Sequence, residues 1–140
     1  MPYPEMLVAP MRQDLVRLGF QELRSVSEVD EVFGDTSQAI LVVVNSVCGC
    51  AAGAMRPAVA LSLMDEEGPR PPRLATVFAG QDVEATQRAR EYFTGYRPSS
   101  PSVALLKDGE LTWMLERHQI EGHGPEIIAT DLKQAYEEHC

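Results

Sequence analysis

The chain has 140 residues and a formal net charge of −9, from 21 acidic against 12 basic side chains, a balance that argues against nucleic acid or an anionic membrane surface as a partner. Hydrophobic residues make up 44% and charged residues 24%, an ordinary globular composition, and the length suffices to bury a core without metal or disulfide staples. One domain over residues 1–140 is therefore expected, with no membrane span, since the longest apolar run (residues 39–44) is only strand length.

Residues 5–18 set Met6, Leu7, Met11, Leu15 and Leu18 at roughly helical spacing, with Pro10 interrupting the run as a point where it could kink and Gly19 as its stop. Residues 20–24 read as a short strand. Residues 27–33 read as a helix capped by Ser25 or Ser27 and ended at Gly34. The β-branched run 39–45 lacks alternation, which predicts a strand buried on both faces. Residues 51–64 are helical in composition, and Pro57 either kinks that helix or ends it early. Three prolines and a glycine make 65–73 a loop. Residues 74–79 form another strand, and 82–93 a helix with Asp82 as its cap. Strands at 103–106 and 111–115 flank Asp108-Gly109, a strong hairpin signal. Residues 125–138 close the chain as a helix with Pro125 near its first turn. This alternation predicts an α/β protein with a central mixed β-sheet flanked by helices. The order is that of the thioredoxin-like fold, with an extra N-terminal helix.

Chemistry concentrates at Val47-Cys48-Gly49-Cys50, just after the central strand and just before a helix. Open α/β sheets bind ligands at the carboxyl ends of their strands. A helix start supplies unpaired N–H groups and partial positive charge, which stabilise a thiolate, the species that attacks disulfides. Cys48, at the strand end, is the expected nucleophile, and Cys50, one step into the turn, the resolving thiol. The φ freedom of Gly49 would allow the small ring of a Cys48–Cys50 disulfide to close. Two other readings stay open: a metal or iron–sulfur site, which needs about four ligands where the chain offers three Cys and three scattered His, and a pair of inert buried cysteines. Met1-Pro2-Tyr3-Pro4-Glu5 lacks the pattern of an export signal, so the expected setting is the cytoplasm, where a close cysteine pair is redox-active or metal-binding more often than structural.

Longer stretches carry a family resemblance. Asn45-Ser46-Val47-Cys48-Gly49-Cys50-Ala51-Ala52-Gly53 with Arg56-Pro57, Val77-Phe78-Ala79-Gly80-Gln81-Asp82, Arg90-Glu91-Tyr92-Phe93-Thr94-Gly95, Pro98-Ser99-Ser100-Pro101-Ser102, Ile120-Glu121-Gly122-His123 and His139-Cys140 together resemble the bacilliredoxin family over nearly the whole chain. The resemblance implies a thioredoxin-like enzyme that removes bacillithiol from protein mixed disulfides, with weak disulfide isomerase activity also associated with the family. Cys48 would attack and Cys50 or free bacillithiol would resolve. No bound metal or organic cofactor is implied. Bacillithiol is the thiol co-substrate, and the partners are bacillithiolated client proteins, bacillithiol and its flavin-dependent reductase. The resemblance also implies a cis peptide before Pro101, leaving the Ser100 backbone free to pair with an extended substrate. Arg56, Arg97 and Arg117 are candidates to grip the malate carboxylates of bacillithiol, each set against the plainer reading of a surface arginine. Cys140 reads either as a frayed terminal thiol or as a third redox cysteine folding back to Cys48. Trp113 is expected in the core, and His118, His123 and His139 are expected to be structural.

Overall fold

The apolar run in the middle of the sequence becomes strand β2 (Ile40–Asn45), buried at every residue. Period-two alternation divides its side chains, with Leu41 and Val43 on one face of the sheet and Ile40, Val42 and Val44 on the other. The computed structural model describes residues 2–34, 38–65 and 67–140. Met1 and Glu66, which belong to the N-terminal pattern and the loop read above, lie outside the described residues.

Strand β3 (Arg73–Phe78) pairs with β2 in parallel, from Ile40 opposite Arg73 to Asn45 opposite Phe78. The two-residue β1 (Gln21–Glu22) adds in parallel beyond it. On the other side β4 (Ser102–Lys107) runs antiparallel to β2, and β5 (Glu110–Leu115) antiparallel to β4. Among the described residues the result is a five-stranded mixed sheet ordered β1-β3-β2-β4-β5. The β4–β5 turn holds Asp108 at φ 56° and Gly109 at φ 73°. A two-residue type I′ hairpin needs that left-handed pair, so Asp-Gly stands there.

Helices α1 (Glu5–Val16), α3 (Arg56–Ser62) and α6 (Pro125–His139) cover one face, packing Leu15, Val59, Leu132 and Tyr136 on Leu41, Val43 and Leu105. Helices α2 (Val26–Phe33) and α4 (Val83–Glu91) cover the other, with Val29, Phe33, Ala85 and Ala89 on Val42, Val44 and Val77. The fold is the mixed, two-faced α/β sheet expected from the element order. No helix among the described residues is long and apolar enough to cross a membrane.

Several local expectations change. In α1 the buried positions are Val8, Arg12 and Leu15, whereas Met6 and Leu7 are exposed. Arg12 is tolerated inside because its guanidinium donates to Glu5, Glu22 and Asp82 at 2.8, 3.5 and 2.7 Å and lies over the Phe78 ring. Asp82 therefore does not cap α4; its carboxylate is turned to Arg12, and the helix start lacks a side-chain cap. Of the two candidate caps for α2, Ser25 is the one that accepts from the Glu28 N–H, and Gly34 ends the helix as expected. Pro57 does not end its helix. A π-helical turn (Ala51–Met55) precedes α3, and Pro57 falls in the first turn of α3, where the wider turn accommodates its ring and missing N–H. A short helix, α5 (Arg117–Ile120), was not anticipated. The Glu116 side chain accepts from the Gln119 N–H and the Gln119 side chain accepts from the Glu116 N–H, a reciprocal capping box built on Glu instead of the usual Ser or Thr. Trp113 is only half-buried, at the edge of the α1/α3/α6 core.

Candidate active site

The chain leaves β2 through a polar anchor. Asn45, buried at the strand end, donates through Nδ2 to the Met11 carbonyl at 3.1 Å, and its Oδ1 accepts from the Ser46 N–H at 2.9 Å and from Arg56 at 2.8 Å. Arg56 also donates to the Ser46 carbonyl at 3.1 Å, and its Nε lies 3.2 Å from the Asp14 carboxylate, an ion pair outside hydrogen-bond geometry. The Cys48 N–H donates to Ser46 Oγ at 3.1 Å. The Cys48 carbonyl then accepts from the N–H groups of Ala51 and Ala52, at 3.0 and 3.3 Å, and the helix begins. Sequence thus places Cys48 where a strand end is converted directly into a helix start.

Both cysteines are free and partly exposed, with their sulfurs 2.8 Å apart. Their surroundings push them in opposite directions. The Cys50 thiol, donating to the Cys48 sulfur, holds Cys48 below the ordinary thiol range. The backbone N–H of Cys50, the charge of Arg117 and the Ala51 N–H act in the same sense. Cys50, packed against the core, is pushed up by burial and by its bond to Cys48. The helix-start reading of the sequence is right in direction, but the neighbouring thiol is the larger cause. Of the two contacting thiols, Cys48 is therefore the easier to ionise and Cys50 the harder, a difference that favours Cys48 as the attacking sulfur.

Cys48 opens into a cleft of about 400 Å³ lined also by Tyr3, Ser46, Gly80, Arg90, Ser100 and Arg117. Arg117 donates through NH2 to Cys48 Sγ at 3.3 Å and through NH1 to the Ser100 carbonyl at 3.2 Å, while Glu121 holds its Nε at 3.1 Å. The Ser100–Pro101 peptide is cis and Pro101 is buried next to the cleft-lining Ser100. The Ser100 carbonyl, expected to be free, is already engaged by Arg117, although one lone pair remains. Of the three arginines considered for an anion site, only Arg117 lines the cleft. Arg56 is buried and spent on Asn45, Ser46 and Asp14, because the end of β2 needs donors there; it positions the loop instead. Arg97 is exposed and lines a small neighbouring hollow with Ser99.

Gly49 is exposed, its φ lies outside the left-handed region, and a Cβ there would meet open space. The dithiol form therefore does not require glycine at this position; the expectation for Gly49 concerns the smaller ring of the Cys48–Cys50 disulfide. Cys140 lies close to Lys107, at the opposite end of β4 from Ser102 and Cys48, so it does not fold back to the active cysteines. Among the described residues no three His, Cys, Asp or Glu side chains converge as a metal set, and Cys48 and Cys50 bring two sulfurs only. Arg90, Tyr3 and Asn45 were not anticipated as site residues. A signal existed for Arg90, which stands one turn after the buried Thr86 of α4 and three residues before the buried Phe93 that follows the helix.

Two free thiols in contact, one held below and the other above the ordinary range, at the carboxyl end of the central strand of this sheet define a thiol–disulfide oxidoreductase of thioredoxin fold. Solved structures agree on the fold: a Fasciola hepatica thioredoxin matches with a TM-score of 0.58 at 16% identity, over 86% of this chain and 100% of the other. A Malassezia sympodialis thioredoxin matches at 0.56 and 17%, over 86% and 90%. A family model described as disulphide isomerase matches residues 3–140. A bacilliredoxin of Salinibacter ruber is 51% identical over 141 residues, all of this chain and 82% of that protein. One from Halalkalibacterium halodurans is 52% identical over 134 residues, 96% of this chain and 90% of that protein. The chain belongs to the bacilliredoxin family.

Proposed function

We propose that this protein removes bacillithiol from protein mixed disulfides in the cytoplasm. The observation that carries the reading is the pairing of a Cys48 held below the ordinary thiol range with a Cys50 held above it, 2.8 Å apart in an open cleft. The Cys48 thiolate attacks the bacillithiol sulfur of the mixed disulfide. The Cys48–bacillithiol S–S bond forms, the client S–S bond breaks, and the client thiolate leaves with the electron pair to be protonated by solvent. Cys50 then attacks Cys48 Sγ, forming the Cys48–Cys50 disulfide and releasing bacillithiol; alternatively free bacillithiol attacks the bacillithiol sulfur of the adduct, releasing bacillithiol disulfide and the Cys48 thiolate. Arg117, 3.3 Å from Cys48 Sγ, stabilises the thiolate before attack and after its release. The reaction uses no resident metal or organic cofactor, and bacillithiol with its flavin-dependent reductase returns the electrons.

The description of the matching family model favours a second reading, a general protein disulfide isomerase. One competition experiment separates the two. The wild-type protein is given equal concentrations of a bacillithiolated client and a scrambled-disulfide client, and both products are followed by mass. Faster release of bacillithiol supports the first reading; faster reshuffling with bacillithiol left on its client overturns it.

A further inference from the structure

The −9 charge makes counter-ions plentiful, and the buried arginines take them: Arg12 is held by Glu5, Glu22 and Asp82, and Arg56 by Asp14. Arg90 differs. It is half-buried on α4, its NH2 donates to the Ser99 carbonyl at 3.3 Å, and its Nε is enclosed without an acceptor. No carboxylate among the described residues pairs with it, and burial alone disfavours its charge. Its place is equally specific. Arg90 and Gly80 line both the Cys48 cleft and an adjoining hollow of about 530 Å³ floored by Val83, Thr86, Tyr96 and Pro98. Either volume is of small-molecule size.

We propose that Arg90 is a substrate-binding residue that takes a carboxylate of the small thiol being transferred to Cys48. This rests on the thiol-exchange reading above. A small thiol joined to the Cys48 sulfur has its body in the cleft, and Arg90 stands where that cleft passes into the second hollow. The guanidinium keeps donors in a planar fork suited to a carboxylate, and an arriving carboxylate supplies the counter-charge the fold leaves out. The Cys48 side of the cleft holds Arg117, which is occupied by Glu121 and the thiol itself, so the two arginines divide the work. Arg117 serves the sulfur and Arg90 the acid.

The test uses the reduced full-length protein and mixed disulfides of one neutral peptide thiol with either mercaptosuccinate, a dicarboxylate, or 2-mercaptoethanol, which is neutral. Stopped-flow release of the peptide thiol gives two rate constants, and their ratio is the carboxylate preference. In Arg90→Gln, which keeps a donor for Ser99, the ratio is expected to fall about tenfold, the size of one lost charge-assisted contact. Arg90→Lys should restore part of it. A third disulfide, with mercaptoethanol on the small half and glutamates on the peptide half, should show no such fall. The proposal is overturned if the wild type has no preference, if Arg90→Gln leaves the ratio unchanged whether or not both rates drop, or if the fall follows the peptide's acids. Absence of peptide release from every disulfide would instead overturn the thiol-exchange reading itself, and this proposal with it.

Discussion

The two ends of the sheet each present a cysteine, and the contrast separates residue type from position. At the carboxyl end of β2, Cys48 stands among N–H donors, the Cys50 thiol and Arg117, and is held below the ordinary thiol range. At the other end, by the β4–β5 hairpin, the exposed residue Cys140 closes α6 near Lys107, and partial burial of its thiol pushes it above the ordinary thiol range. One end spends buried polar groups to fix a loop for chemistry. The other is ordinary turn chemistry at Asp108-Gly109, and its contribution is to stability. The lesson is that the thiol's reactivity is set by its surroundings: first the Cys50 thiol that the strand-to-helix turn brings beside it, then the N–H groups of the helix start and Arg117.

Breaking the anchor at the reactive end should have the largest effect. Asn45→Ala removes the acceptor of the Ser46 N–H and of Arg56 and the donor to the Met11 carbonyl together, and is expected to cost about 2–3 kcal/mol, the usual penalty for lost buried hydrogen bonds. Urea unfolding midpoints measure that loss. An alkylation rate at Cys48 should fall with it; an unchanged midpoint would mean that the loop does not depend on this anchor.

Arg117→Gln sharpens the electrostatic half of the contrast. The charge of Arg117 favours the Cys48 thiolate, so its removal should raise the Cys48 pKa and slow iodoacetamide alkylation several-fold at neutral pH, about what the loss of one exposed charge contact gives. The sign is fixed by the shift. In the wild type the rate rises with pH and levels off at a lower pH than a free cysteine, because the thiolate is already formed. Folding stability linked to Cys48 is correspondingly present above the ordinary thiol range and lost as pH falls through the Cys48 value. An alkylation profile that levels off at or above that of a free thiol would contradict the account.

Changes at the far end should touch stability alone. Gly109→Ala places a Cβ on a left-handed φ of 73° and is expected to cost about 1 kcal/mol with the Cys48 alkylation rate unchanged. Cys140→Ser should be smaller still, within about 0.5 kcal/mol, as for surface substitutions generally, and bacillithiol transfer should proceed at the wild-type rate. A transfer rate that collapses in Cys140→Ser would restore the third redox cysteine that the geometry separates from Cys48.

Much of this was legible in the chain, and the boundary is physical. Periodicity and turn residues carry local information, so the buried β2 run, the Asp108-Gly109 hairpin, the Ser25 and Gly34 limits of α2 and the adjacency of Cys48 and Cys50 to a helix start could all be read. What could not be read depends on contacts across the sequence. Arg12 and Arg56 look like surface cations until Asp82 and Asn45 are brought beside them. Arg90 and Arg117, 27 positions apart by their numbers, meet only across the folded cleft. The Glu116–Gln119 box escaped because its first member is not the customary hydroxyl residue.

The central claim, that Cys48 attacks and Cys50 resolves, is tested most directly by intact-protein mass after single variants meet a bacillithiolated client. Cys50→Ser should gain the mass of one bacillithiol at Cys48 and hold it until free bacillithiol is added, because the first displacement needs only one thiolate. Cys48→Ser should gain nothing. An adduct on Cys50 in the Cys48→Ser protein, with none on Cys48 in the Cys50→Ser protein, would show that the two thiols have the opposite roles.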